Sequence, residues 1–314
     1  MAPLKTMSVD KTKDHLVPAF LLEHFRSGLG GDIYVYDKWT DATFSSGPRG
    51  IGAERGYYRT QIAGRPATAE PFLKELDTAA SSVIKSVVDR QILPSSDFDR
   101  YILAAFAAAQ FLRVEDMRNG IRSQQAQISE WLTSLGVDPR DVKGFDVLSA
   151  DEIRTASILH LGDLKDYVPG FLKKLWILLR TTDAMPFYIS DTPVTLRNER
   201  DFGALSGLGL EVPGIEIHLP LSKTLTLGLL CSSHFPLFQS AGREEHVLSG
   251  VPLDVPDRMV LSLNELQVMF SSRFVYSCNG DFELVKDVVS QRPHLRKGMR
   301  RKGLSQPESG HVRK

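Results

Sequence analysis

The sequence has few cysteines, no overall charge bias and no long apolar run. Its two cysteines, Cys231 and Cys278, are too few for a disulfide scaffold. Reduced, buried thiols fit a cytosolic protein, so a cytoplasmic location is expected. The opening residues MAPLKTMSVDKTKDH contain no apolar core of signal-peptide length. No apolar stretch approaches the ~18 residues that a membrane-spanning helix needs. FLKKLWILL comes nearest and is interrupted by Lys173 and Lys174, so no membrane association is expected. GxxxxGKS, GxxxxGKT and a GxGxxG after a strand are missing, so no nucleotide cradle is signalled. GxSxG, CxxC and HExxH are missing as well, which argues against a nucleophile elbow and a structural zinc.

Charge is balanced overall, with 38 Lys+Arg against 38 Asp+Glu, but it is unevenly placed. Residues 291–314 hold eight basic residues and one acid, Glu308, so the body carries about −7 and the tail about +7. The tail RPHLRKGMRRKGLSQ can meet phosphate backbones through counterion release, which makes nucleic acid a candidate partner. It lacks the interleaved aromatics of a base-stacking surface, and a disordered, solvated terminus is the plainer reading.

With 314 residues, 42% of them apolar, the chain can bury a large core. The pattern reads as α+β: a short N-terminal helix and strand, a central helical bundle, and a C-terminal antiparallel-rich sheet with a packed helix. The expected organisation is a flexible segment 1–13, one domain over 14–290 and a basic, disordered tail over 291–314. VPAFLLEHF (17–25) predicts a short helix with Pro18 in its first turn, and DIYVYDK (32–38) predicts a strand. Phe72, Leu76, Ala80, Ile84 and Val87 mark a helix. A second helix starts at the Ser96/Asp99 capping pattern and runs to Asn119-Gly120. A third covers 123–135, and a fourth follows the Ser149 cap. VPGFLKKLWILL predicts a fifth helix or a helix-to-strand passage. PFYISD (186–191), IEIHLPL (215–221), TLTLGLL (224–230) and RFVYS (273–277) predict strands. PDRMVLSLNELQVMFSS (256–272) predicts a helix.

Several polar residues are candidates for chemistry, each with a plainer alternative. His15 heads the VPAFLLEHF run and is either a titrating group or a helix-capping one. Arg113 continues the apolar stripe Ile102, Phe106, Ala109, so a carboxylate or an anionic ligand should meet it; the plainer readings are a structural Arg–carboxylate bridge or a guanidinium that reaches solvent from the last turn. Asp191 ends a strand before Thr192-Pro193, where a turn either exposes a carboxylate or ties it to the backbone. Asn264 is a binding group or a satisfied core amide. His218 and His234 lie in β-like segments and read as packing.

Taken together, HLVPAFLLEHF, IYVYDK, YY (57–58), FLKELDTAASSVI, FAAAQFLRVEDMR, PFYISDTPV, IHLPLSKTLTL and SLNELQVMFSSRFVYS follow the order and spacing of one family. Over about residues 14–278 the chain resembles the domain of unknown function numbered 4238. HxxPxFxLxxF and ISDTPV are the most specific pieces. The resemblance implies that His15, Pro18, Asp37, Glu75, Arg113, Ser190, Asp191, Pro193, Pro220 and Asn264 fall on motif positions. Two positions depart from the pattern, Ala19 and Thr192, and neither removes a charge. The resemblance supplies positions and not chemistry.

Three functional expectations follow. The first is a hydrolase of nuclease or phosphoesterase type acting on a phosphate-containing or nucleic-acid substrate. His15, Asp191 and Glu75 would be catalytic, and Arg113, Ser190 and Asn264 would bind substrate. Asp191 and Glu75 would hold a divalent Mg or Mn ion. The second is a non-catalytic module that binds a small anion or a partner protein. The third is a purely structural polar cluster.

Overall fold

The computed structural model describes residues 13–62, 64–198 and 209–297. Residues 1–12 of the expected N-terminal segment and 298–314 of the basic tail lie outside them. The chain opens with strand Lys13–His15 (β1) and the one-turn helix Ala19–Leu22 (α1), which tightens into a 3-10 turn over Glu23–Phe25. Strands Ile33–Asp37 (β2), Ala42–Ser46 (β3), Ala53–Arg55 (β4), Arg59–Ile62 (β5) and Arg65–Thr68 (β6) follow. The helical middle comprises Glu70–Arg90 (α2), Asp97–Leu112 (α3), Glu115–Ser134 (α4), Ala150–Gly162 (α5) and Leu164–Leu172 (α6). Next come strands Leu175–Arg180 (β7), Ile189–Ser190 (β8), Thr195–Asn198 (β9), Ile215–Ser222 (β10) and Leu225–Leu230 (β11). The chain closes with Phe235–Ser240 (α7), Glu245–Leu248 (α8), Leu253–Asp254 (β12), Asp257–Phe270 (α9), Phe274–Ser277 (β13) and Glu283–Gln291 (α10). The architecture is α+β.

Two larger sheets organise the molecule. One has the order β12-β7-β11-β10-β9, antiparallel except for the β12–β7 pair. The other has the order β3-β2-β13-β8, so it joins an N-terminal strand to a C-terminal one. Every residue of β10 is buried, because the first sheet is covered on both faces. Ile217, Leu219, Leu227, Leu229, Trp176 and Leu178 point into the main core with residues of α1, α2, α3 and α6. Ile177, Leu179 and Leu230 point the other way, onto Val260 and Leu263 of α9. Val268, further along α9, packs instead with Tyr36, Tyr188 and Val275 of the second sheet region. Helix α9 therefore stands between the two sheets.

The local sequence explains most elements. Ser96 accepts the Asp99 backbone N–H at the start of α3. Ser149 and Glu152 form a full capping box on α5, which satisfies two otherwise unpaired N–H groups. The VPGFLKKLWILL segment is the helix-to-strand passage, α6 into β7. The β10–β11 hairpin turns around Ser222, Lys223 and Thr224, and Ser222 Oγ accepts from Thr224 and Leu225 N–H.

Three expectations need correction. The apolar face of α2 starts from Leu73 and not from the exposed Phe72. That rotates the first turns and brings Asp77 inward while Glu75 stays exposed. The helix expected to run to Gly120 ends at Leu112, where Val114 turns extended at φ −90°, ψ 153° before α4 begins. The PFYISD strand shrinks to Ile189–Ser190, because the Tyr188 N–H goes to a side chain rather than to a strand. Just past α10, Leu295 is buried, Arg292 pairs with Glu265 at 2.6 Å and Arg296 with Asp41 at 3.2 Å.

Replacing Ser149 with Ala removes the α5 cap. The expected loss is about 1 kcal/mol in urea denaturation, and an unchanged midpoint would contradict the capping account.

Candidate functional site

The expected site residues fall into separate networks. The first surrounds Asp191, at the end of β8. Its Oδ1 accepts from Ser272 N–H at 2.8 Å, and its Oδ2 accepts from Arg273 and Phe274 N–H at 2.7 and 2.8 Å. The buried Lys38 ammonium donates to the Ser271 and Val268 carbonyls at 2.6 and 3.1 Å and adds its charge nearby. Burial pushes the Asp191 carboxyl upward, and the three N–H bonds and Lys38 oppose that shift. Ser190 Oγ donates to Gln267 Oε1 at 2.8 Å, and Gln267 Nε2 donates to the Pro193 carbonyl at 2.9 Å. Asn264 accepts the Tyr188 N–H at 2.7 Å and donates to the Pro186 carbonyl at 2.9 Å. Asp37 grips Arg273 through two bonds of 3.0 and 2.6 Å, and that guanidinium holds its carboxyl down to about 2. Ser190, Asp191 and Asn264 are thus spent on fastening 186–193 and 272–274 to α9.

The second network surrounds Arg113, which is only 2% exposed. Its guanidinium makes a two-pronged pair with Asp77 at 3.0 and 3.1 Å and lies 5.6 Å from the centre of the Phe106 ring. The Gln110 side-chain oxygen, with the amide oriented to suit, accepts from the same group. The required carboxylate is therefore Asp77, and Glu75 stands exposed elsewhere on the helix. Close by, buried Asp14 accepts the Tyr58 N–H at 3.1 Å, and Tyr58 donates its hydroxyl to the His15 carbonyl at 3.1 Å. Burial, then the Asp14 carboxyl, raises Glu70, so Glu70 holds its proton to a higher pH than usual. His15 itself is half-buried in β1, paired with Ala53.

The third feature was read from the sequence only as packing. A cavity of about 230 Å³ lies between the first sheet, α7 and α9. Its polar end is built on neighbouring strands, where Arg197 faces Glu216 and Thr195 faces His218. Arg197 donates to Glu216 Oε2 at 3.1 and 2.6 Å and to Ser262 of α9 at 3.2 Å. His218 Nε2 stands 3.6 Å from Glu216 Oε2, and His234 Nε2 stands 3.9 Å from Glu216 Oε1. His218 is 3% exposed, and its Nδ1 has no hydrogen-bond partner among the described residues. Thr195 Oγ1 and Thr226 Oγ1, buried in the same sheet, are without partners too. Burial, with the charges of Arg197 and His234, lowers His218 to about 3, so its ring is neutral at ordinary pH. Gly228 lies across from His218, and a Cβ there would stand 2.8 Å from Ile177 Cγ2. The sequence did carry a signal: IEIHL places Glu216 and His218 on one strand face, the face that α9 must cover.

Among the described residues, no three His, Cys, Asp or Glu side chains are placed to hold a metal ion. The pair expected to bind one, Asp191 and Glu75, is split between a sealed turn and an exposed helix face. Cys231 and Cys278 are both free. No helix among the described residues is long and apolar enough to cross a membrane.

A family model described as "Protein of unknown function (DUF4238)" matches residues 13–281. The chain belongs to this family. No curated protein and no solved structure matches. The DUF4238 match spans all three features: the Asp191 turn, the Arg113 cluster and the histidine cavity.

Two outcomes are expected. Asp191→Ala leaves three N–H groups of the 272–274 turn unpaired and removes the charge beside Lys38, so it should lower stability by about 3–5 kcal/mol in urea denaturation. For His218, the folded state disfavours the proton that the unfolded chain accepts below its ordinary value of 6.5. Its stability contribution is therefore complete above that value and is lost as pH falls from 6.5 toward 3. The limiting slope is about 1.4 kcal/mol per pH unit. Urea denaturation at successive pH values should show this extra slope in the wild type and not in His218→Phe.

Proposed function

We propose that the protein binds a small organic molecule in the cavity behind β10 and does not turn it over. The observation that carries this reading is the cavity itself, mostly apolar, with the neutral His218 ring and the Arg197–Glu216 pair at one end. Binding pockets have this composition: apolar walls with a few polar groups that fix orientation. Leu237 and Arg243 at the rim are exposed, which gives the cavity a route to solvent. An engineered cavity of ~150 Å³ admits benzene, so this one suits a ligand of about ten non-hydrogen atoms.

Binding is preferred to hydrolysis for two reasons. Three of the groups expected to do chemistry have their hydrogen bonds committed: Asp191 to three N–H groups, Arg113 to Asp77, and Asn264 to 186–188. The cavity histidine, lowered to about 3, is a weak base near neutral pH, where an efficient general base needs a value close to the working pH. The cluster of Asp14, Glu70 and Asp77 around Arg113 also disfavours a phosphate, because acids outnumber the one guanidinium there.

Screening aromatic and aliphatic fragments of this size by thermal shift tests the reading, since a ligand that binds only the native state raises the melting temperature. Fragments should stabilise the wild type and be recovered unchanged. Leu263→Phe, which puts a ring into the cavity from α9, should remain folded and lose the response. Stabilisation that persists in Leu263→Phe places the ligand elsewhere, and chemical conversion of a bound fragment overturns the non-catalytic reading.

A further inference from the structure

We infer that a second site, the groove between helices α2, α3, α5 and α6 and the β5–β6 hairpin, takes a free long-chain fatty acid, with its carboxylate on Lys165 and its chain along the apolar walls. The groove holds about 510 Å³ and shares no lining residue with the cavity behind β10. Phe72 and Leu76 of α2, Ile102 of α3, Ile158 and Leu161 of α5 and Val168 of α6 supply most of its walls. Phe72 and Ile62 of the hairpin both line it and are exposed, so it opens to solvent. Phe72 is the residue that the rotation of α2 turns away from the main core, and the groove is where its ring lies. The volume is in the range of small-molecule pockets, ~300–1,000 Å³. Scaled from a ~150 Å³ cavity that admits benzene, it suits about twenty non-hydrogen atoms, the size of a long-chain fatty acid.

Charge selects the head group. Among the described residues that line the groove, Lys165 alone is charged. It is exposed, and no ion pair or hydrogen bond engages its ammonium among the described residues. Of the other polar side chains there, Thr68 already accepts the Glu70 N–H at 3.2 Å, and the Tyr101 hydroxyl has no partner among the described residues. An apolar body seated beside Lys165 strips water from the ammonium, which is costly unless a partner arrives with it. A neutral hydrocarbon brings no partner. A phosphate ester brings about two negative charges against one cation. A carboxylate matches the single charge and accepts from the ammonium directly. The long stem of Lys165 can lie along the apolar wall while its head meets that carboxylate at the water-facing side.

The probe is cis-parinarate, a long-chain carboxylate that fluoresces when its chain leaves water. Its emission should rise on adding the full-length wild-type protein, and hexadecanoate should displace it. Hexadecanol should compete about threefold less well, because an ion pair at an exposed lysine is worth little. Lys165→Met, a surface change that the fold tolerates, should remove that preference and keep the binding of the alcohol. Phe72→Glu, also at an exposed position, should weaken acid and alcohol alike. Leu263→Phe, which fills the cavity behind β10, should change neither, so this site and that cavity are tested separately. No rise in emission, or a rise lost in Leu263→Phe, overturns the inference. An acid preference that survives Lys165→Met overturns it as well. A wild-type dimer in sedimentation that Phe72→Glu dissociates shows that a second copy covers the groove, and the inference falls. Binding to phosphatidylglycerol vesicles without binding of parinarate assigns the groove to a membrane surface and has the same consequence.

Discussion

The buried Asp191 carboxylate and the three N–H groups that it accepts form the constraint on which the rest of the structure depends. The turn from α9 to β13 runs through Ser272, Arg273 and Phe274, and a single side chain on another segment fixes all three. Lys38 reaches the carbonyls on the other side of that turn from the end of β2. The strand pairings β2–β13 and β13–β8 follow from this arrangement. So does the direction in which α9 leaves the second sheet to cover the first. The cost of burying a carboxylate is offset because both oxygens accept short N–H bonds, three in all, and a cation stands nearby.

The same helix sets up the cavity. One side of α9 carries Asn264 and Gln267, bonded to the main chain of 186–193, and the other carries Met259, Ser262 and Leu263 over the first sheet. Ser262 meets Arg197, so even the polar end of the cavity is tied to that helix. A wall held by buried amide–backbone bonds has little freedom to collapse into the space beside it, and unfilled space in such a core persists. The neutral histidine belongs to the same logic: in this surrounding a second charge is more costly than an unpaired nitrogen.

Much of the fold was legible because local rules and tertiary burial agreed. IEIHLPL and TLTLGLL read as strands, and Ser96 and Ser149 read as caps. Legibility failed where a tertiary bond overrode the local pattern. FLRVEDMR offers no glycine or proline to stop a helix, yet α3 ends there, where Val114 turns extended beside the Arg113–Asp77 pair. PFYISD has strand residues throughout, yet Asn264 takes one of its N–H groups. For the site, the sequence implied a carboxylate for Arg113, but choosing among the acids of α2 required knowing that Leu73 and not Phe72 faces inward. Glu216 and His218 share a strand face by simple alternation. Their neighbours Arg197 and Thr195 come from a strand whose register no local signal specifies.

In the ISDTPV network nearly every acceptor or donor facing a side chain belongs to the main chain: the Pro186 and Pro193 carbonyls and the N–H groups of Tyr188, Ser272, Arg273 and Phe274. A peptide group is the same whatever side chain it bears. The constraint is therefore one-sided. Asp191, Asn264 and Gln267 have no freedom to vary without loss, whereas the residues they hold can change identity and still present the same partner, proline excepted where an N–H is needed. A motif built this way is short and discontinuous in sequence even though it governs a large part of the fold.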